Sequence, residues 1–155
     1  MGAALERRLK MRRLDDPVVE GMLNLLVAGS TLQQQGESRF GQFGLTTSAY
    51  NVLRILRGSP DGLPRGEIAQ RMVFPAPDVT RLIDRLTRRG LVKRLRSRRD
   101  RRLSLARITP KGIAQLERAE TANNEQRAYL ATRLSESEWR QLSVLVERVY
   151  GDGTP

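Results

Sequence analysis

Between Val79 and Ile108 the spacing of the apolar residues changes once, and that change dictates the local fold. Val79, Leu82, Ile83 and Leu86 recur at i, i+3, i+4 and i+7, the period of one helix face. Gly90 follows, and glycine ends helices because it accepts a left-handed backbone without steric cost. From Leu91 the period becomes two. Leu91, Lys93, Leu95 and Ser97 oppose Val92, Arg94 and Arg96; after a polar tip, Leu103, Leu105 and Arg107 oppose Ser104, Ala106 and Ile108. Both flanks fit strands, and Arg98-Arg99-Asp100-Arg101 makes the tip of a hairpin between them.

The flanking sequence is helical. Met1 to Arg13 is basic and reads either as an arm or as a first helical turn. Asp16 and Pro17 supply an N-cap and a first-turn proline. The helix they open has a broad apolar face of Val18, Val19, Met22, Leu23, Leu25, Leu26 and Leu32. Gly36 to Gly44, with three glycines, reads as a helix end and loop. Leu45 to Ser48 opens a second helix whose core face is Tyr50, Leu53, Ile55 and Leu56, and Gly58 to Gly62 stops it. Leu63-Pro64 is expected to start a short helix over Arg65 to Met72, which Phe74-Pro75-Ala76-Pro77 interrupts. The next helix is expected from Ala76 to Arg89. Thr109-Pro110 repeats the cap-and-proline pattern and begins a long helix to about Arg133. Ser135 to Glu138 forms a capping box before a last helix that carries Trp139, Leu142, Leu145, Val146, Val149 and Tyr150 and ends at Gly151.

Composition narrows the function. The 155 residues hold neither cysteine nor histidine, which removes disulfides, thiol chemistry and the usual zinc ligands. It also removes the commonest acid–base group near neutral pH. No enzyme activity, metal or cofactor is expected. The most apolar stretch, Val18 to Ala28, is too short and too polar to cross a bilayer, and no signal-peptide pattern follows Met1. A cytoplasmic protein is the expectation.

The net charge of +11 is concentrated. Arg81 to Arg102 holds eleven basic residues against two acids, Asp84 and Asp100, so this window alone carries +9. Only Lys10, Lys93 and Lys111 are lysines. A general preference for arginine explains the residue type but not the clustering. Clustered cations are the footprint of a nucleic-acid binder, since each phosphate contact releases condensed counterions. No Phe, Trp or Tyr falls in the window, so the stacking platform that single strands and RNA need is missing.

Helix, helix, turn, helix, strand, hairpin, strand is the order of a winged helix-turn-helix, whose second helix enters the major groove of duplex DNA. The fold class is mainly α with a small β-hairpin wing (α+β). Side chains near that helix's N-terminus are placed to reach base edges: Ala76, Pro77, Asp78, Thr80 and Arg81. Arg85 and Arg88 are placed for phosphates. Asp78 either accepts a cytosine amino group or caps the helix.

Residues 45 to 112 resemble the MarR family of bacterial regulators. The resemblance is carried by Leu45 to Leu53, by Ile68-Ala69-Gln70-Arg71-Met72, and by Val79 to Val92. It extends to a wing signature at Asp100-Arg101-Arg102 followed by Ile108-Thr109-Pro110-Lys111-Gly112, with Ile in place of the family's Leu. The resemblance implies that Arg102 is the wing arginine, reaching the minor groove or the backbone, and that Asp100 orients the hairpin. Arg98, Arg99 and Arg101 add charge suited to phosphates. Pro75 and Pro77 depart from the family, where Ser commonly opens the recognition helix; prolines there remove hydroxyl and N–H donors. The resemblance further implies a homodimer. Residues 1–44 and 110–155 would form its interface and 45–109 the DNA-binding lobe, with two heads about 34–36 Å apart on a pseudo-palindromic site. It also implies a repressor that a small aromatic or lipophilic effector can release, held in a crevice for which Met22, Leu26, Arg39, Phe40, Phe43 and Trp139 are the candidates. The alternative is a non-specific architectural DNA-binding protein without a ligand switch.

Overall fold

A computed structural model describes residues 2–10, 14–74, 78–96 and 103–151. Seven helices and three strands follow in the order α1 (Ala3–Leu9), α2 (Pro17–Gly41), α3 (Thr47–Arg57), β1 (Leu63–Pro64), α4 (Arg65–Gln70), α5 (Val79–Arg88), β2 (Val92–Arg96), β3 (Ser104–Ile108), α6 (Pro110–Ala131) and α7 (Glu136–Tyr150) among the described residues. The mainly α fold with a small antiparallel sheet is the one expected from the winged helix-turn-helix order.

The expected caps form. Asp16 accepts from the Val18 and Val19 amides at 2.8 and 3.2 Å, with Pro17 as the first helical residue. Thr46 accepts from Ala49 and Thr109 from Gly112. Ser135 and Glu138 close a reciprocal capping box. The Ser135 hydroxyl and its amide both donate to the Glu138 carboxylate, which holds that carboxyl below the ordinary glutamate value.

Four expectations are corrected. Helix α2 does not end at Gly36 but runs through it to Gly41. Gly36 is buried, and a Cβ there would meet the Thr47 Oγ1 at 3.0 Å, so its role is close packing rather than termination. The turn glycine is Gly44, with φ +63°. Leu63 and Pro64 do not begin a helix. They form β1, opposite Ala106 and Leu105, and the sheet order is β1-β3-β2. Pro64 is tolerated because β1 is an edge strand, where a missing N–H costs little. Helix α5 begins at Val79, not Ala76, because Asp78 is its cap and accepts the Arg81 amide at 2.9 Å. Helix α4 likewise stops at Gln70, short of Met72.

One core holds the central lobe together. Val52, Leu53 and Leu56 of α3, Ile68 of α4, Leu82, Ile83 and Leu86 of α5, Leu91 and Val92, Ala106 and Ile108, and Leu116 and Ala119 of α6 are buried in it. Ile55, expected on the core face of α3, is only partly buried against it. Helix α7 differs, since none of its residues is buried.

The junction between α5 and α6 sets the geometry. Gly90, at φ +71°, ends α5, and the Leu91 amide donates to the Leu86 carbonyl at 2.9 Å. The Thr109 amide donates to the Leu91 carbonyl at 3.0 Å, and the Thr109 hydroxyl donates to the Gly90 carbonyl at 2.7 Å. Gly112 lies against this point: a Cβ on it would overlap the Leu91 oxygen and sit 2.8 Å from an Ile108 side-chain carbon. Backbone occupies that space, so the clash cannot be relieved by a rotamer change. Gly112→Ala is therefore expected to lower unfolding stability by about 1–3 kcal/mol or more, the range of overpacked cores. Urea denaturation of the two proteins measures it, and a loss under about 0.5 kcal/mol, the size of an ordinary surface change, would show that α6 shifts freely away from Leu91.

Candidate nucleic-acid interface

Helix α5 turns Leu82, Ile83 and Leu86 inward, which leaves Thr80, Arg81, Arg85 and Arg88 on the outer side together with the cap Asp78. The Arg81 side chain is 86% exposed. Asp78 does two things at once. One carboxylate oxygen caps the helix, and the other accepts from Arg81 Nε at 2.9 Å. Of the two roles open to Asp78, capping is the one formed here.

The second acid of the helix is also occupied. Asp84 pairs with Arg94 of β2. This contact ties the recognition helix to the wing's first strand. The sequence places Asp84 on the outer face but gives no sign of its partner, which lies ten residues on across a change of secondary structure. Arg89 is turned to a structural task, donating to the Gly44 carbonyl. Arg85 and Arg88 are exposed and have no carboxylate partner among the described residues. Ala76, Pro77, Arg98, Arg99, Asp100, Arg101 and Arg102 lie outside the described residues, as does Pro75.

Beside α5 a groove of about 560 Å³ runs between α4, the sheet and the recognition helix, lined by Arg65, Thr80, Arg94 and Ser104 among others. Arg65 Nη1 donates to Thr80 Oγ1 at 3.0 Å. Sequence reasoning misses Arg65, and nothing in the local pattern marks it.

A second cavity, of about 260 Å³, lies between α2, α3, the segment after α4, and α6. Phe40 and Tyr50 stack on one wall with ring centroids 4.0 Å apart. Arg39 lies over Phe40 at 5.6 Å and donates to Asn123 at 3.3 Å, and Arg54 lies over Tyr50 at 6.0 Å. Burial pushes the Tyr50 phenol above its ordinary value, against the lowering effect of Arg54, so it stays neutral at neutral pH. Thr47, also on the wall, has a buried hydroxyl without a hydrogen-bond partner among the described residues. Of the residues expected to line a crevice, Arg39 and Phe40 do so. Met22 and Leu26 are exposed on α2, Phe43 packs against the core, and Trp139 sits half-buried on α7; none of the four lines this cavity. Thr47, Tyr50, Asn51 and Arg54 take their place, all from α3. Among the described residues no group of three acids could hold a metal, and no helix is long and apolar enough to cross a membrane.

The MarR family model matches residues 43–103, the span from the loop before α3 to the residue before β3. The HTH-type transcriptional regulator PapX of Escherichia coli is 28% identical over 151 residues, covering 94% of this chain and 92% of that protein. The homoprotocatechuate degradative operon repressor of Escherichia coli is 30% identical over 103 residues, 66% of this chain and 69% of that protein. The S. aureus MepR–DNA complex superposes with a TM-score of 0.72 at 25% identity, covering 81% of this chain and 92% of that one. On the family model and these relatives, the chain belongs to the MarR family of transcriptional regulators.

Proposed function

We propose that this chain is a homodimeric, sequence-specific repressor that places α5 in the major groove and its hairpin in the flanking minor groove. The observation that carries this reading is the outer face of α5. Its two acids are each held by an arginine, while Arg85 and Arg88 have no carboxylate partner among the described residues. Such a face is net positive where phosphates approach, and its first turn is open to base edges. The MepR–DNA complex, which shares the fold, supports the same docking. Arg102 and its neighbours at the wing tip enter on the sequence motif alone.

The dimer is supported by what the terminal helices leave uncovered. Val18, Met22 and Leu26 of α2 and Leu142, Val144, Leu145, Val149 and Tyr150 of α7 are exposed apolar residues. Helices with such faces need a partner, and a second copy supplies one with two-fold symmetry. On this reading residues 1–44 and 110–155 assemble the dimer and 45–109 bind DNA.

We further propose that a small aromatic or lipophilic anion fills the cavity beside Phe40 and Tyr50 and releases the DNA. Stacked rings, two guanidinium groups and an unpartnered hydroxyl suit a planar molecule with a negative end.

Three measurements test these proposals. In gel shifts at physiological salt, the gene's own upstream region should bind at least about 10³-fold tighter than scrambled DNA, with two chains per duplex. Equal affinities would establish the architectural alternative. Arg88→Ala should weaken both duplexes by a similar factor and reduce the salt slope by about 1, whereas Arg102→Ala should cost about 1–3 kcal/mol on the specific duplex. A panel of aromatic carboxylates should contain members that raise the melting temperature and weaken the protein–DNA complex, and Arg39→Ala should blunt both effects. A ligand that acts equally on the variant would place effector binding elsewhere.

A further inference from the structure

We propose that Arg65, a residue outside the recognition helix, is a positioning residue that biases what Thr80 reads. It does so by donating into the Thr80 hydroxyl oxygen, which leaves that hydroxyl to act as a donor toward DNA. The inference rests on the reading above, in which the first turn of α5 meets base edges.

A threonine hydroxyl carries one proton and two lone pairs, so on a DNA-facing helix it can either donate or accept. Inside a helix the choice is usually made by the backbone, because the hydroxyl donates to the carbonyl four residues earlier. Thr87 does this, donating to Ile83 at 2.9 Å. Thr80 is the second residue of α5, and the residue four before it precedes the helix. Among the described residues no carbonyl takes its proton. Instead Arg65 Nη1 donates to Thr80 Oγ1 at 3.0 Å. A guanidinium cannot accept, so this bond commits one of the two lone pairs and turns the proton away from Arg65, which leaves one donor and a single remaining acceptor position.

The hydroxyl is thereby biased toward acceptors. In the major groove these are guanine N7 and O6, adenine N7 and thymine O4; cytosine offers its amino donor instead. The guanidinium charge behind the oxygen strengthens the donor and favours the electronegative guanine edge.

Arg65 is well placed to hold this bond constant. It opens α4 directly after Leu63 and Pro64, which pair with Ala106 and Leu105 of β3. The arginine is thus anchored to the wing sheet while its side chain reaches the recognition helix. Among the described residues no carboxylate neutralises it. The competing account is a solvated arginine that touches Thr80 in passing and contacts a phosphate.

The test is a base-preference profile. The wild-type protein, Arg65→Ala, Arg65→Lys, Thr80→Val and the Arg65→Ala/Thr80→Val double variant are titrated against the selected duplex with all four base pairs placed in turn at each position. Thr80→Val should flatten the preference at one position in each half-site. Arg65→Ala should lower the preference for guanine at that same position by about threefold to tenfold, the size of one hydrogen bond. It should leave other positions unchanged and add nothing further in the Thr80→Val background. Arg65→Lys should restore most of the preference, because an ammonium also donates. A uniform loss across all duplexes, equal in the wild-type and Thr80→Val backgrounds, would make Arg65 a phosphate contact and overturn the proposal. An unchanged profile in Thr80→Val would overturn it as well. A wild-type protein that binds every duplex equally would instead overturn the sequence-specific reading, and this proposal with it. Unfolding midpoints of the variants separate a loss of recognition from a loss of fold.

Discussion

The Leu91 carbonyl is the point on which the arrangement of the molecule depends. It accepts the Thr109 amide and lies where a Cβ of residue 112 would be. Within a few residues of it the recognition helix ends, β2 begins, β3 ends and α6 starts. Thr109 joins these ends, accepting from Gly112 at its own helix start and donating to Gly90 at the end of α5. Lys111 adds a bond to the Arg89 carbonyl at 3.0 Å, a cation at the C-terminal end of α5 where the helix dipole favours it. The angle between α5 and the long helix α6 is therefore set by backbone contacts at closest approach. Side-chain choice elsewhere can tune the lobe, but it acts on a frame already fixed here.

A second constraint concerns charge. A chain with this excess of arginine has to keep its own cations from repelling one another, and it does so by giving many of them a defined partner. Arg81 is held by Asp78, Arg94 by Asp84, and Arg57 by Glu120 through two bonds of 2.6 Å that brace α3 to α6. The hydrogen bonds to the Glu120 carboxylate raise the Arg57 pKa further, so the guanidinium keeps its charge in the working range of a protein. Surface pairs of this kind contribute little to stability on their own. Their effect is to decide where each guanidinium sits, and so which cations remain available on the outer side of α5.

Local grammar makes the helices and the wing legible in the sequence. Pro17 after Asp16, Pro110 after Thr109, the Ser135–Glu138 box and Gly90 each encode a boundary through chemistry confined to a few residues, and the structure has all four. Gly36 misleads because a glycine inside a helix looks like a stop until the packing partner is known, and that partner, Thr47, comes from the next helix. Leu63 and Pro64 mislead because a two-residue strand exists only by virtue of β3, some forty residues later. The cavity is half legible. Arg39 and Phe40 stand out as an arginine beside an aromatic ring, but their α3 counterparts look like plain core and helix surface. Arg65 is invisible for the same reason as β1: its partner is reached only after the chain has folded.

The cavity gains its interest from its position relative to these constraints. Asn51, on its wall, accepts the Val73 amide at 2.9 Å, and Val73 and Phe74 lead directly toward α5. Arg39 on the opposite side is bonded to Asn123 of α6. One small volume is thus bounded by a terminal helix, by α3 and by the segment that enters the recognition helix. Val73 is 71% exposed and Phe74 39%, whereas the core side of α5 is closed. Val73 and Phe74 are thus the exposed part of that wall, while the C-terminal end of α5 is locked at Leu91.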